Sequence, residues 1–444
     1  MSFLLDKFES FGGKTALVFD EISYSYGDFV KQIEIYKKTL DKNQIDSKVV
    51  AILGDYSFYN LALFFALQES KNIIIPITTT LKKAQDEYLE EAFCQICMQA
   101  SKDNLLISSL NQTGSHDMIE DLKNKNLSGL ILFSSGSTGK PKAMIHNLDN
   151  LIDSYRDKKA KSMNMLVFLM FDHIGGLNTV FNALSMGATL IIPKEKDAKN
   201  ICALIEKYKI IVLPSSPTFL NLILISGEHK NYDLSSLRMI TYGTETMPQS
   251  LLDKLKEAFV KVKFLQTFGT SETGISTTSS QSSGSLFMKL EDINCEYKIV
   301  ENELWLRSST QVLGYLNASM ESFTNDGWFK TGDLVEVDGE YIKIIGRSKE
   351  VINVGGQKVL PSEVESVILT LDAVDDVMVY GEANAITGQS VVCDVVLNKG
   401  VENIKKTIRL FCRDKIEAYK IPTRVNVVEK TNFSDRFKKI RRRD

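Results

Sequence analysis

Leu130-Ile131-Leu132-Phe133-Ser134-Ser135-Gly136-Ser137-Thr138-Gly139-Lys140-Pro141-Lys142 decides the reading of this chain. The apolar run ending at Phe133 predicts a buried strand. It feeds a loop of Ser, Gly and Thr that closes on two lysines. Small residues let backbone N–H groups converge on an anion, hydroxyls add donors, and lysines supply charge. That chemistry suits a nucleoside triphosphate. The loop is not of the Walker type, because two residues separate Gly136 from Gly139 and no Ser or Thr follows Lys140.

Outward from this loop, short apolar runs alternate with longer amphipathic stretches. Strands are predicted at 49–53, 73–77, 130–133, 165–171, 188–192, 210–213, 237–242 and 262–268. Phe29, Ile33, Tyr36 and Leu40 stand at near-helical spacing. The alternation predicts an α/β architecture with largely parallel sheets. Near residue 335 the texture changes. Leu334–Val337 and 341–345 flank Asp338-Gly339, a hairpin signal. A shorter unit follows, with helices at 362–371 and 402–419 and strands at 377–380, 391–396 and 425–428. The expected organisation is a large N-terminal domain, 1–347, of packed mostly parallel sheets with helices, and a small α+β C-terminal domain, 348–444.

Across the 444 residues, 43% are hydrophobic, 25% are charged, and the net charge is −3. This is a globular composition with no field for nucleic acid or an anionic membrane. No basic and then apolar leader opens the sequence. No uncharged apolar run approaches the ~18 residues of a spanning helix. A cytoplasmic location is expected. The six cysteines make no disulfide framework. Cys94 and Cys97 form one CxxC without the second pair that a zinc ribbon needs, and are expected as helix-borne thiols facing the interior. The four histidines are isolated in sequence, with no metal-binding spacing.

Further segments resemble, in order, the motifs of the acyl-adenylate-forming superfamily, which includes acyl-CoA synthetases, luciferases and peptide-synthetase adenylation domains. The opening loop resembles its phosphate loop. Tyr242-Gly243-Thr244-Glu245 resembles the stretch lining the adenine and acid pockets. Thr267-Phe268-Gly269-Thr270-Ser271-Glu272-Thr273-Gly274 resembles the motif in which an aromatic stacks on adenine, a hydroxyl contacts phosphate and a Glu holds magnesium. Those roles map to Phe268, Ser271 and Glu272. Phe329-Lys330-Thr331-Gly332-Asp333-Leu334 resembles the motif whose Asp binds both ribose hydroxyls; Asp333, an acceptor-only carboxylate, suits that task. The run from Gly346 to Glu365 resembles the interdomain hinge and the Gly-Gly turn after it, which places Arg347 at the nucleotide, Lys349 at the hinge, and Gly355 and Gly356 in the thiol channel. The tail, Phe433 to Arg443, resembles the terminal S-x-G-K-I-x-R. Matching Lys-Ile-Arg puts the catalytic lysine at Lys439, with Lys438 where the family usually has Gly.

The resemblance implies activation of a small carboxylic acid by ATP with Mg2+, giving an acyl-adenylate and pyrophosphate. Transfer to coenzyme A, or to the phosphopantetheine of a carrier protein, would then release AMP. The implied catalytic set is Lys439, Glu272, Lys142 and His173, the last from Asp172-His173-Ile174-Gly175-Gly176, where acyl and aryl ligases line the acid channel with His. ATP and AMP would be bound by Ser134, Ser135, Gly136, Ser137, Thr138, Gly139, Lys140, Gly243, Thr244, Glu245, Phe268, Gly269, Thr270, Ser271, Asp333 and Arg347. The small domain would be mobile, rotating about Lys349 between the two half-reactions. Asp172 keeps open a stand-alone amino-acid-adenylating enzyme that loads a carrier protein. Lys438 in place of Gly keeps open a weakly active, nucleotide-binding homologue.

Overall fold

The computed structural model describes residues 3–112, 114–134, 140–434 and 437–441. Ser135, Gly136, Ser137, Thr138 and Gly139 of the opening loop lie outside the described residues. The apolar runs become the centres of two seven-stranded sheets. The first has the order Lys263–Gln266, Met239–Tyr242, Val212–Ser215, Asn164–Leu166, Thr189–Ile191, Thr15–Phe19 and Ile22–Ser25, parallel except for the last pair. The second runs Gly314–Tyr315, Lys142–Asn147, Gly129–Ser134, Ile73–Ile77, Val49–Leu53, Ile96–Ala100 and Leu105–Ser109. Its middle four strands are parallel and its flanks antiparallel. Parallel strands buried on both faces read as continuous apolar runs, which is why Val49–Leu53 and Ile73–Ile77 are legible to the residue.

Helices Phe58–Glu69 and Ile174–Met186 are largely apolar and mostly buried, the second with Asn178 and Asn182 half-exposed along one stripe, and both contribute to one core cluster together with residues of both sheets. Helices this apolar have to be enclosed in this way. A six-stranded antiparallel sheet follows, from Thr278–Ser280 to Tyr341–Arg347. The last sheet has five strands, all between Ile352 and Val427. With helices Pro361–Ile368 and Ile404–Cys412 it encloses a core of its own. The short helical turn Ser348–Glu350 lies between the two sheets. Among the described residues no helix is long and apolar enough to cross a membrane.

Three expectations are corrected. Cys94 and Cys97 are buried but not helix-borne, because Phe93 takes a left-handed φ of 55° after helix Lys82–Glu91 and Cys97 enters strand Ile96–Ala100. The run 165–171 forms a strand only over Asn164–Leu166. The hairpin loop is Gly339-Glu340, one residue later than Asp338-Gly339, since Asp338 pairs with Tyr341 and Gly339 supplies the positive φ of 60°.

Candidate active site

The phosphate-loop candidate is closed by a hairpin: Ser134 ends one strand and pairs with Lys142, the first residue of the next. Lys140 is exposed and Lys142 is half-buried. The Lys142 ammonium lies 5.1 Å from the ring centre of Tyr315. The Tyr315 hydroxyl donates to Glu272 Oε1 at 3.0 Å. Burial and the Glu272 charge push the Tyr315 phenol far above its usual range, so it remains a donor.

A second cluster forms where parallel strands end. Tyr242 and Gln266 are register partners, and the chain leaves them as Gly243-Thr244-Glu245 and Thr267-Phe268. Ligands bind at such carboxyl ends in open α/β sheets. Thr218 Oγ1, Thr244 Oγ1 and Gln266 Oε1 are buried here without a hydrogen-bond partner among the described residues. Buried polar atoms are ordinarily satisfied, so three orphans at one sheet edge fit a polar ligand. Thr244 itself is held at φ 72°. A Cβ on Gly243 would stand 2.7 Å from Thr267 Oγ1 and 2.8 Å from the Thr267 carbonyl oxygen. Gly243→Ala is therefore expected to push these segments apart and weaken ATP binding roughly tenfold or more, about 1.4 kcal/mol, measured by calorimetric titration.

Phe268–Thr270 pairs with Gly274–Ser276, and Ser271 and Glu272 occupy the turn between them. Only glycine fits at 269, where a Cβ would meet the Gly274 carbonyl oxygen at 2.3 Å. Thr270 Oγ1 accepts from the Thr273 N–H at 3.1 Å and fixes the turn. Phe268 is half-buried against the core of the antiparallel sheet.

Asp333 and Arg347 are opposite residues on adjacent strands, joined by Arg347 Nε donating to Asp333 Oδ1 at 2.9 Å. Asp333 is buried. Burial pushes its carboxyl upward, and the Arg347 guanidinium pulls it back.

The tail reaches this region. The Phe437 ring packs on Phe168 and Phe219, and Ser216 Oγ donates to its carbonyl. Lys439 sends its ammonium into the small domain, donating to Asp376 Oδ1 at 2.9 Å and to the Val377 carbonyl at 2.7 Å. Arg441 follows it onto Glu365 and the Val379 carbonyl. Alternate residues of an extended segment point to opposite faces. Lys438 thus points away from Asp376, and the charges acting on it are those of Arg347, Glu350, Glu245 and Asp333. The lysine that the motif match selects is engaged in the small domain; its neighbour lies in the field of the Asp333–Arg347 pair and of Glu350 and Glu245. The two oxygens of Glu245 accept from the Thr218 N–H at 2.7 Å and the Lys439 N–H at 3.2 Å, so its carboxylate joins the tail to the strand ends.

His173 caps helix Ile174–Met186, its Nδ1 accepting from the Gly175 N–H at 3.0 Å. Asp172 Oδ2 accepts from the Thr78 hydroxyl at 2.8 Å. Lys349 is exposed in the turn between the last two sheets. Gly355 and Gly356, at φ 57° and 85°, form the exposed tip of a two-residue hairpin. Tyr315, Asp376, Glu365 and Ser216 were not legible as site residues, because their partners lie far away in sequence. Among the described residues no group of three or more His, Cys, Asp or Glu could hold a metal. A single carboxylate, Glu272, fits a magnesium ion that takes its other ligands from phosphate and water.

Two family models match the chain: "AMP-binding enzyme" over residues 5–316 and "AMP-binding enzyme C-terminal domain" over residues 363–434. The chain is 27% identical to 4-coumarate:CoA ligase 1 of Petunia hybrida, covering 82% of this chain and 73% of that one. It is 26% identical to 4-coumarate–CoA ligase 4 of Arabidopsis thaliana, covering 73% of this chain and 64% of that one. It spans only about two thirds to three quarters of the length of these relatives. In fold it resembles an anthranilate CoA ligase solved with anthranoyl-AMP, at a TM-score of 0.82 and 20% identity over 99% of this chain and 95% of that one. It also resembles the o-succinylbenzoate CoA synthetase of Bacillus subtilis solved with ATP and magnesium, at a TM-score of 0.76 and 19% identity over 97% and 96%.

Proposed function

Because the chain belongs to the AMP-binding enzyme family, we propose that it is an AMP-forming acid–thiol ligase. A carboxylate oxygen of a small acid attacks the α-phosphorus of ATP, and pyrophosphate leaves. A thiol sulfur then attacks the acyl carbon, its proton passes to solvent, and AMP leaves. The observation that carries this reading is the set of orphaned polar atoms, Thr218 Oγ1, Thr244 Oγ1 and Gln266 Oε1, at one end of a parallel sheet. The Asp333–Arg347 pair and the Lys142–Tyr315–Glu272 cluster support it.

In this reading the half-buried face of Phe268 receives adenine. Gly243 lets the backbone approach the nucleotide closely, and Asp333 accepts from the ribose. Ser134, Lys140 and Lys142 would meet the phosphates, and the motif resemblance alone assigns Ser135, Ser137 and Thr138 to the same task. Glu272 would hold magnesium, whose charge would offset that of the phosphates. Positioned cations act where charge develops in the transition state. Of the tail lysines, Lys438 supplies the cation at the reacting phosphate, and Lys439 fastens the tail to the small domain. His173 would line the channel for the acid.

The small domain is taken as 348–444, turning at Lys349 to bring the Gly355-Gly356 tip to the adenylate. Nothing lies within 4 Å of a Cβ built on Gly356. Apart from backbone strain of about 1 kcal/mol, a side chain there meets only what enters from outside. Gly356→Leu is expected to slow thioester formation and spare adenylation, read by separate assays of the two half-reactions. Equal damage to both would remove this turn from the thiol step.

Coenzyme A is the favoured acceptor. Amino acids stay in the test panel, because a carboxylate such as Asp172 that accepts from Thr78 at Oδ2 can still accept from an ammonium group. The test is a panel of aromatic, aliphatic and amino acids given with Mg2+ and ATP, and with either coenzyme A or a phosphopantetheinyl carrier protein. Mass spectrometry should show AMP and an acyl-CoA for at least one acid. A thioester on the carrier alone would move the chain to the carrier-loading class.

A further inference from the structure

Segment Val312–Asn317 joins two parts of the site that are far apart in sequence. At one end the Val312 N–H donates to the Glu272 carbonyl at 2.8 Å. Gly314–Tyr315 then pairs as an edge strand with Met144 and Ile145, just after Lys142. The Leu316 N–H donates to the Ala143 carbonyl at 2.9 Å. At the other end the Asn317 side chain takes the Ala143 N–H at 2.9 Å and donates to the Pro141 carbonyl at 2.9 Å. The segment is thus fastened to the exit of the phosphate loop and to the turn that carries Glu272.

Tyr315 lies at the centre of this brace and is 4% exposed. Its ring face receives the Lys142 ammonium and its hydroxyl donates to Glu272 Oε1. A ring face attracts a cation without a carboxylate, and a neutral phenol holds a carboxylate without a cation. The two opposite charges are each satisfied by one neutral side chain, which keeps them from satisfying one another. Tyr315 holds one Glu272 oxygen, and a carboxylate keeps acceptor capacity at the other. Outer partners of this kind orient ligating carboxylates.

We infer that Tyr315 is a positioning residue that presents Glu272 to a divalent cation and Lys142 to phosphate as one preset unit. This rests on the ligase reading, in which Glu272 and Lys142 meet Mg2+ and ATP. Tyr315→Phe keeps the ring and removes the hydroxyl; Tyr315→Leu removes both.

The test measures Mn2+ binding by electron paramagnetic resonance, in the presence of a non-hydrolysable ATP analogue, together with the Mg2+ dependence of pyrophosphate exchange. Tyr315→Phe should weaken Mn2+ binding, and raise the Mg2+ concentration for half-maximal exchange, roughly tenfold. At saturating Mg2+ its rate should return to within about threefold of wild type, and metal-free binding of the analogue should be unchanged. Tyr315→Leu should lose metal-free analogue binding as well, because Lys142 loses its seat. Thermal melting of both variants identifies a general loss of fold, which would lower the saturated rate without moving the metal dependence. A well-folded Tyr315→Phe enzyme with unchanged Mn2+ affinity and Mg2+ dependence would overturn the inference. Wild-type enzyme that exchanges with no acid would overturn the ligase reading instead, and the Mn2+ measurement would still judge Tyr315.

Discussion

Lys438→Ala should lower acid-dependent pyrophosphate exchange by roughly a hundredfold or more, the loss expected when one transition-state cation or donor is removed. Lys439→Ala should act differently. It leaves Asp376 without its cation at a site where both side chains are 11% exposed. Removing one partner of a buried ion pair costs on the order of 3–5 kcal/mol. Thermal melting should fall sharply in Lys439→Ala and hardly at all in Lys438→Ala. The pH dependence separates them further. Burial pulls the Lys438 ammonium down to about 8, with Arg347 acting in the same direction and Glu350, Glu245 and Asp333 opposing. A lysine that must be protonated is lost as pH rises through its pKa, so kcat/KM for ATP should fall above pH of about 8. In Lys438→Arg that limb should disappear, since guanidinium stays charged. Burial alone would also lower Lys439, but Asp376, Glu365 and Glu245 raise it, so it titrates outside this window. Full exchange activity in Lys438→Ala, with loss in a well-folded Lys439→Ala, would return the catalytic role to the motif's own register.

Asp333→Ala should act mainly on nucleotide affinity. The carboxylate is the nearest anion to Arg347 across the strand pair, at 2.9 Å. A charge-assisted hydrogen bond contributes on the order of 1.5–3 kcal/mol, so ATP affinity should fall by roughly 10- to 150-fold. Arg347 would also be left beside Lys438 with less neutralising charge, and the Lys438 pKa should fall further. Calorimetry with ATP gives the affinity, and the alkaline limb of exchange gives the pKa. Unchanged ATP affinity would make Asp333 a partner of Arg347 only. Asp333→Asn keeps the shape and should recover part of the affinity but not the position of the limb.

The sequence carried the parts of the fold that depend on local pattern. Strands Val49–Leu53 and Ile73–Ile77 are runs of apolar residues buried on both faces, and their bounds need no tertiary information. The shifted hairpin and the cysteine pair were misread because a single positive φ, at Gly339 or Phe93, decides where a turn or helix stops. Chain order placed Ser134, Lys142, Gly243, Phe268, Glu272, Asp333 and Arg347 in motif-like segments. It could not say which way a side chain faces. Lys439 is separated from Asp376 by 63 positions, and Tyr315 from Glu272 by 43. Such pairings leave no period in the sequence. The bonds that Lys439, Glu245 and Tyr315 make were therefore visible only in three dimensions.

Adenylate formation without thiol is the step on which the ligase reading depends. The direct measurement is exchange of labelled pyrophosphate into ATP by the wild-type enzyme with Mg2+ and a panel of carboxylic acids, omitting coenzyme A. Exchange is expected to require an acid and a divalent cation and to be abolished in Glu272→Gln. ATP binding without exchange for any acid would contradict the ligase reading and leave a nucleotide-binding homologue.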